Sequence, residues 1–421
     1  MLTPRSLTAA LPLLVLTLAS CSSTAPIGSA AESTAPSAAS SAAGLDDGHG
    51  AIAGSEEVPD PPLHLVTVDP AGSVDMLDLA DETVETLAEV PGVTAIATDG
   101  RYVFASAAAT GSLTVIDTGM WTWDHEDHFH YYRGPSRLVG TVEGEGEAVV
   151  TPGSTTTGVF FPDSGDAQVL DNDALARGEL DIVTEITMPP HDGLAVPLSG
   201  FTLLTVPGAD GVAASVQAHD GDGAPVDAAS APCAAAGGTI TTTVGAVIGC
   251  EDGALLATHD GDTVTFERIP YPDRADAPRA TAFRAREGRP TVAATAGDQG
   301  AWLLDTRRRA WQFIPTDVPL LRVSSVDDRE GHVVALAADG RVLVLSATTG
   351  ATLAATEPLL TSTPAGPALP DGVDLIADQQ RAYLNAPAER TLLEIDFADG
   401  ARIARTFETA TVPAFLVETG R

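Results

Sequence analysis

The strongest constraint on this chain is a spacing. Short apolar runs with β-branched residues are cut by Asp-Gly and Thr-Gly turns, and no long helical period is present. Residues 96–106 read IATDGRYVFAS and residues 336–346 read LAADGRVLVLS: strand, Asp-Gly-Arg turn, strand, found twice and far apart. The second strand of such a unit often ends in an apolar residue followed by Asp. The marks are Asp78, Asp117, Asp171, Asp220, Asp260, Asp305 and Asp396, with Ser346 filling one place, at steps of 39 to 54 residues. A repeat near 45 residues carrying three or four short strands is the signature of a β-propeller. The sequence therefore predicts an all-β fold, a β-propeller of eight blades, with seven as the alternative count. Repeat spacing argues against the competing β-sandwich pair and β-helix.

The ends fit closure. The first unit, from Leu63, begins with a strand that lacks a partner before it, and Val412-Pro413-Ala414-Phe415-Leu416-Val417 forms a spare strand at the C-terminus. Pairing the two would close the ring and remove open edges.

The N-terminal stretch reads differently. Arg5 is followed by an apolar run from Leu7 to Leu18 and then by Leu18-Ala19-Ser20-Cys21. The run is short of the roughly 20 residues a membrane span needs, so residues 1–20 read as a signal peptide. Small residues before a cysteine resemble a bacterial lipobox, which makes Cys21 the expected lipidated residue of an exported protein anchored to the outer face of the cell membrane. An ordinary secretory peptide is the alternative. Residues 21–60 are rich in Ser, Ala, Thr, Pro and Gly, cannot bury enough apolar surface to offset chain entropy, and read as a flexible tether. The propeller is expected over 61–421.

Charge disfavours some partners. The sequence has 58 acidic against 22 basic residues, all of the latter Arg, for a net charge of -36. This argues against nucleic acid, whose phosphates need cationic partners, and against close docking on anionic lipid beyond the anchor itself. Besides Cys21 there are Cys233 and Cys250. Outside the cytoplasm such a pair reads as a disulfide, with a two-thiol metal site as the alternative.

One stretch breaks the repeat. Residues 120–134 read MWTWDHEDHFHYYRG: His125, His128 and His130 lie within six positions, interleaved with Asp124, Glu126 and Asp127 and surrounded by aromatic rings. Neutral imidazoles suit Zn(II), and a carboxylate can complete a tetrahedron or orient an imidazole. His128 and His130 point the same way on an extended segment. The absence of Cys argues against a soft Cu(I) site. A solvated polar loop and an aromatic-rimmed pocket are the competing readings. His191, followed by Asp192 in the loop 188–193, is the best further candidate, because propeller loops converge around the axis. His219 and His259 read as turn residues, His332 and His64 as structural, and His49 lies in the tether. No G-x-S-x-G, HExxH, P-loop or G-x-G-x-x-G motif occurs. A metal-dependent hydrolase or lyase and a metal-free interaction scaffold stay open as alternatives to a metal-binding protein without turnover.

DHEDHFHYYRGPSRLVGTV (124–142), HDGLAVPL (191–198), GCEDG (249–253), ALAADGRVLVLSATTG (335–350) and AYLNAPAERTLLEIDFADG (382–400) resemble segments of the periplasmic zinc metallochaperone family called AztD. The resemblance spans most of residues 63–421, and the histidine segment is its specific part. It implies a β-propeller that binds zinc and hands it to the solute-binding protein of a zinc ABC importer, with His125, His128, His130 and His191 at metal-site positions. Two departures accompany it. A Leu-His-Gly-Glu element after the upstream cysteine is replaced by Cys233-Ala234-Ala235-Ala236-Gly237, and a further histidine position is replaced around Arg284, Arg286 and Arg289. These imply that the chain keeps only one of the family's sites or binds metal more weakly.

Overall fold

The computed structural model describes residues 50–421, apart from 125–127 and 274–276. The signal peptide, Cys21, most of the tether with His49, and His125, Glu126 and Asp127 lie outside the described residues.

The Asp marks have a local cause. Asp78, Asp117, Asp171, Asp260, Asp305 and Asp396 are the last residues of strands, and Asp220 follows one directly. Most of these carboxylates, and the Ser346 hydroxyl, accept a backbone N–H of the turn that follows. Examples are Ala80 N to Asp78 at 2.7 Å, Gly119 N to Asp117 at 3.0 Å, Arg307 N to Asp305 at 3.0 Å and Thr348 N to Ser346 at 3.3 Å. A short acceptor side chain at that place ends the strand and starts the reversal. At Asp171 the same interaction caps the helix Asn172–Arg177, through Ala174 N at 2.6 Å. Gly178 closes that helix in the left-handed conformation, φ 79°, which a residue without Cβ adopts freely.

Among the described residues, eight antiparallel sheets of three or four strands follow one another along the chain. Middle strands such as Tyr102–Ala107 and Val342–Ser346 are buried on both faces, so they read as unbroken apolar runs. Outer strands such as Thr263–Pro270 alternate between buried and exposed positions. Each pair of neighbouring sheets shares a cluster of buried side chains. Val66, Met76, Val103 and Ile116 join the first sheet to the second, and Phe104, Leu113, Val159 and Phe161 join the second to the third. Leu65, Leu77, Tyr383, Leu392 and Phe407 join the eighth back to the first.

The C-terminal strand pairs as the sequence predicts. Phe415–Thr419 runs antiparallel to His64–Val68, with Val66 opposite Val417, and becomes the inner strand of the first sheet. An edge that would template aggregation is thereby covered from the other end of the chain.

Two additions interrupt the plan. A hairpin, Met120–Asp124 with Phe129–Arg133, is inserted between the third and fourth strands of the second sheet. The segment before Thr291–Thr295 bridges the inner strands of the sixth and seventh sheets, with Arg284 opposite Ala293 and Ala285 opposite Ser325.

Candidate metal centre

The inserted hairpin is held at its base by aromatic and ionic contacts. Trp121 and Tyr132 are cross-strand partners, buried, with rings 5.2 Å apart. The Arg101 guanidinium lies 4.2 Å from the Trp121 ring, a cation–π contact. Arg101 is fixed in turn by Asp117, which accepts its Nε and Nη2 at 2.8 and 2.7 Å and also accepts Arg137. Arg133 donates to Asp78 at 2.8 Å, and Thr122 donates to the carbonyl of Gly420 at 2.9 Å. The hairpin therefore stands on the rim formed by the first two sheets.

The face carrying the histidines follows from strand alternation. His128, His130 and Tyr132 sit at i, i+2 and i+4. The His128 and His130 rings are 4.7 Å apart and the His130 and Tyr132 rings 6.4 Å apart. The sequence expectation that His128 and His130 point the same way is met. Trp123, opposite His130 across the hairpin, and Phe129 are large exposed apolar side chains beside the pair. Asp124 is exposed at the end of its strand. His125 and Asp127 lie outside the described residues.

A third strand completes this small sheet, from a segment the sequence reads as tether. Glu56–Val58 pairs with Phe129–Arg133, placing Glu57 opposite Tyr132. The Glu57 carboxylate accepts the His130 Nδ1–H at 2.7 Å. Sequence reasoning misses Glu57 because nothing in Glu56-Glu57-Val58 signals a strand; among the described residues its partner is the inserted hairpin.

His191 does not join this group. Strands alternate in direction within each sheet, so a connection between third and fourth strands opens at one end of the sheets. A connection from a fourth strand to the next inner strand opens at the other. The hairpin is the first kind; the loop carrying His191, between Ile182–Thr187 and Ala195–Leu198, is the second. His191 is buried, with Nδ1 2.7 Å from the Pro189 carbonyl and Nε2 2.9 Å from the Thr205 hydroxyl, and its ring is edge-on to Phe160. The expected convergence of this loop on the hairpin is thus corrected by strand direction, and Asp192, exposed beside it, stays on the same far rim. Among the described residues, no group of three or more His, Cys, Asp and Glu side chains is placed to hold a metal. The described part of this small sheet brings together two imidazoles of the hairpin and the Glu57 carboxylate of the third strand.

No family model matches the chain. A stretch of 180 residues, 41% of the chain, is 26% identical to the zinc chaperone AztD of Citrobacter koseri and covers 42% of that protein, about two fifths of its length. Two crystal structures of Citrobacter koseri AztD, one of them the apo form, align with TM-scores of 0.73 at 18% and 16% identity. Each alignment covers 85% of this chain and 97% or 98% of the AztD chain. The chain resembles the AztD family in sequence and in fold. The dihydro-heme d1 dehydrogenase NirN is a more distant likeness, with TM-score 0.51, 16% identity and coverage of 86% and 76%, and shares the fold alone.

Against AztD, the departures at the two cysteines and the arginines acquire a structural account. Cys233 and Cys250 form a disulfide with Cα atoms 5.0 Å apart, inside the cluster joining the fourth and fifth sheets. The two-thiol metal alternative is thereby set aside. Arg284 pairs with Asp374 at 2.7 Å, and Arg289 donates to the Asp327 carbonyl at 2.7 Å. In this AztD-like chain these positions serve ion pairing. The remaining histidines are accounted for locally. His332 pairs with Asp328 at 2.6 Å. His64 donates to the Pro62 carbonyl at 2.6 Å and lies 3.4 Å from Asp78; burial outweighs both contacts and lowers its pKa. His219 ends a strand and is buried, which lowers its pKa, whereas His259 is exposed.

Proposed function

We propose that this protein is an extracytoplasmic zinc-binding metallochaperone, tethered to the membrane by lipidated Cys21, that delivers Zn(II) to the solute-binding protein of a zinc ABC importer. It performs no turnover. The observation that carries the reading is the His128–His130 pair on a rim hairpin, with rings 4.7 Å apart and edge to face, in a chain similar to a zinc chaperone.

The chemistry suits handover. Imidazoles on a hairpin that projects from the rim can be exchanged one at a time for a partner's ligands, which a closed tetrathiolate site resists. His125, three positions before His128 in the sequence, would supply a third imidazole. The net charge of -36 raises the local concentration of cations, which favours capture from dilute zinc.

The test is transfer. Residues 50–421 are loaded with zinc and mixed with the apo solute-binding protein of a zinc ABC importer, with zinc movement followed against a free chelator of equal affinity. Transfer faster than through the chelator supports the reading; equal rates oppose it. Cys21→Ser should move the full-length protein from the membrane fraction to the soluble one.

A further inference from the structure

The three-residue strand Glu56–Val58 is an edge strand. Among the described residues it pairs only with Phe129–Arg133, and both its glutamates are exposed. Two more contacts hold the segment that leads into it. The Trp121 indole donates to the Gly50 carbonyl at 3.2 Å. Gly50 itself, φ 76°, lies so close under Trp123 that a Cβ there would meet the ring at 2.5 Å. Among the described residues, the strand pairing and both of these contacts come from the histidine hairpin. So short a ladder is marginal on its own, and a small added free energy decides whether it stays docked.

Glu57 touches the hairpin at the atom that matters for ligation. A carboxylate can only accept, so the proton of the 2.7 Å contact sits on His130 Nδ1. The ring's basic lone pair then lies on Nε2, the atom through which it would ligate. This is the carboxylate–histidine–metal arrangement, in which the outer carboxylate fixes tautomer and ring orientation and makes the imidazole a stronger donor.

We propose that Glu57 is the positioning residue of the zinc site and that, through it, zinc capture and docking of the tether strand Glu56–Val58 are coupled. The proposal rests on the zinc reading of the hairpin and goes beyond it. Coupling is reciprocal: zinc on His130 polarises Nδ1–H and tightens its bond to Glu57, and the docked strand raises zinc affinity by the same factor. The metal state of the rim is thereby passed to the chain leading to the membrane anchor.

The experiment compares wild-type 50–421 with Glu57→Ala, Glu57→Gln and the His128→Ala/His130→Ala pair, using zinc alone as probe. It reads zinc affinity by competition and backbone amide exchange of residues 56–58 with and without zinc. Glu57→Ala should weaken zinc binding about 10- to 100-fold, the usual effect of losing such an outer partner. Glu57→Gln, which keeps an acceptor, should recover part of it. Zinc should slow exchange at 56–58 in the wild type and leave it unchanged in Glu57→Ala, whose melting temperature should match the wild type because the side chain is exposed. Unaltered zinc affinity in Glu57→Ala, or zinc-independent exchange at 56–58, overturns the coupling while leaving the zinc site standing. If wild type and the His pair variant both take up no zinc, the zinc reading fails and the coupling with it.

Discussion

His130 and His191 stand at opposite ends of their sheets, although both belong to segments that resemble one metalloprotein family. His191 serves its own loop: it bridges the Pro189 carbonyl and the Thr205 hydroxyl, which also accepts the Leu194 N–H at 2.9 Å. Truncation leaves buried polar groups without a partner, at about 1–3 kcal/mol. His191→Ala should therefore lower the free energy of urea unfolding by that amount and leave zinc stoichiometry unchanged. Loss of zinc with unaltered stability would reverse the assignment.

Asp117 is the keystone of the hairpin base. It is 1% exposed and accepts four guanidinium N–H bonds, from Arg101 and Arg137, besides the Gly119 N–H. Removing one partner of a buried ionic network costs about 3–5 kcal/mol. Asp117→Ala should be destabilised on that scale, with zinc affinity also reduced, because Arg101 carries the Trp121 ring. Chemical denaturation and a zinc titration on the same preparation read both.

The Cys233–Cys250 disulfide closes a sequence separation of 17 residues. Loop-closure entropy predicts about 3 kcal/mol of stabilisation. The Cys233→Ser/Cys250→Ser variant should fall short of wild type by that amount, and reductant should lower the wild-type melting temperature while leaving the variant's unchanged.

The stability contributed by three carboxyls with raised pKa values should fall as pH rises from about 5 to about 8, opposed by His64 and His219, whose lowered pKa values favour the folded state as pH rises. Burial pushes the Glu418 carboxyl up to about 7, opposed by Arg421 at 2.9 Å and reinforced by Asp378 and Glu287. Burial likewise raises Asp99 to about 6 and raises Glu287. In the unfolded chain these groups ionise at ordinary carboxyl values, so across that window the folded state holds more protons and rising pH favours unfolding. Glu418→Gln should flatten the dependence of melting temperature on pH. A slope as steep as wild type's would show that Glu418 does not carry it.

The fold was legible because its punctuation is chemical. Asp78, Asp117, Asp171, Asp220, Asp305 and Asp396 each bind a backbone N–H of the following turn, so their spacing could be read without knowing any contact between sheets. The histidine hairpin was legible as a break in that rhythm. Two features were not. The far-rim position of His191 depends on which connection its loop makes, and that requires strands to be counted within each repeat. The role of Glu57 depends on an edge formed by an insertion some 70 residues later, while Glu56-Glu57-Val58 carries no alternation and a single apolar residue.

The most direct test of the account is zinc stoichiometry of the hairpin. Residues 50–421, stripped with chelator, are titrated with Zn(II) beside the His128→Ala/His130→Ala variant, with Trp fluorescence as a second readout because Trp123 lies across from His130. The account predicts about one tightly bound zinc per chain in the wild type, and loss of that site in a variant that keeps its melting temperature. Identical titrations for the two proteins would contradict it.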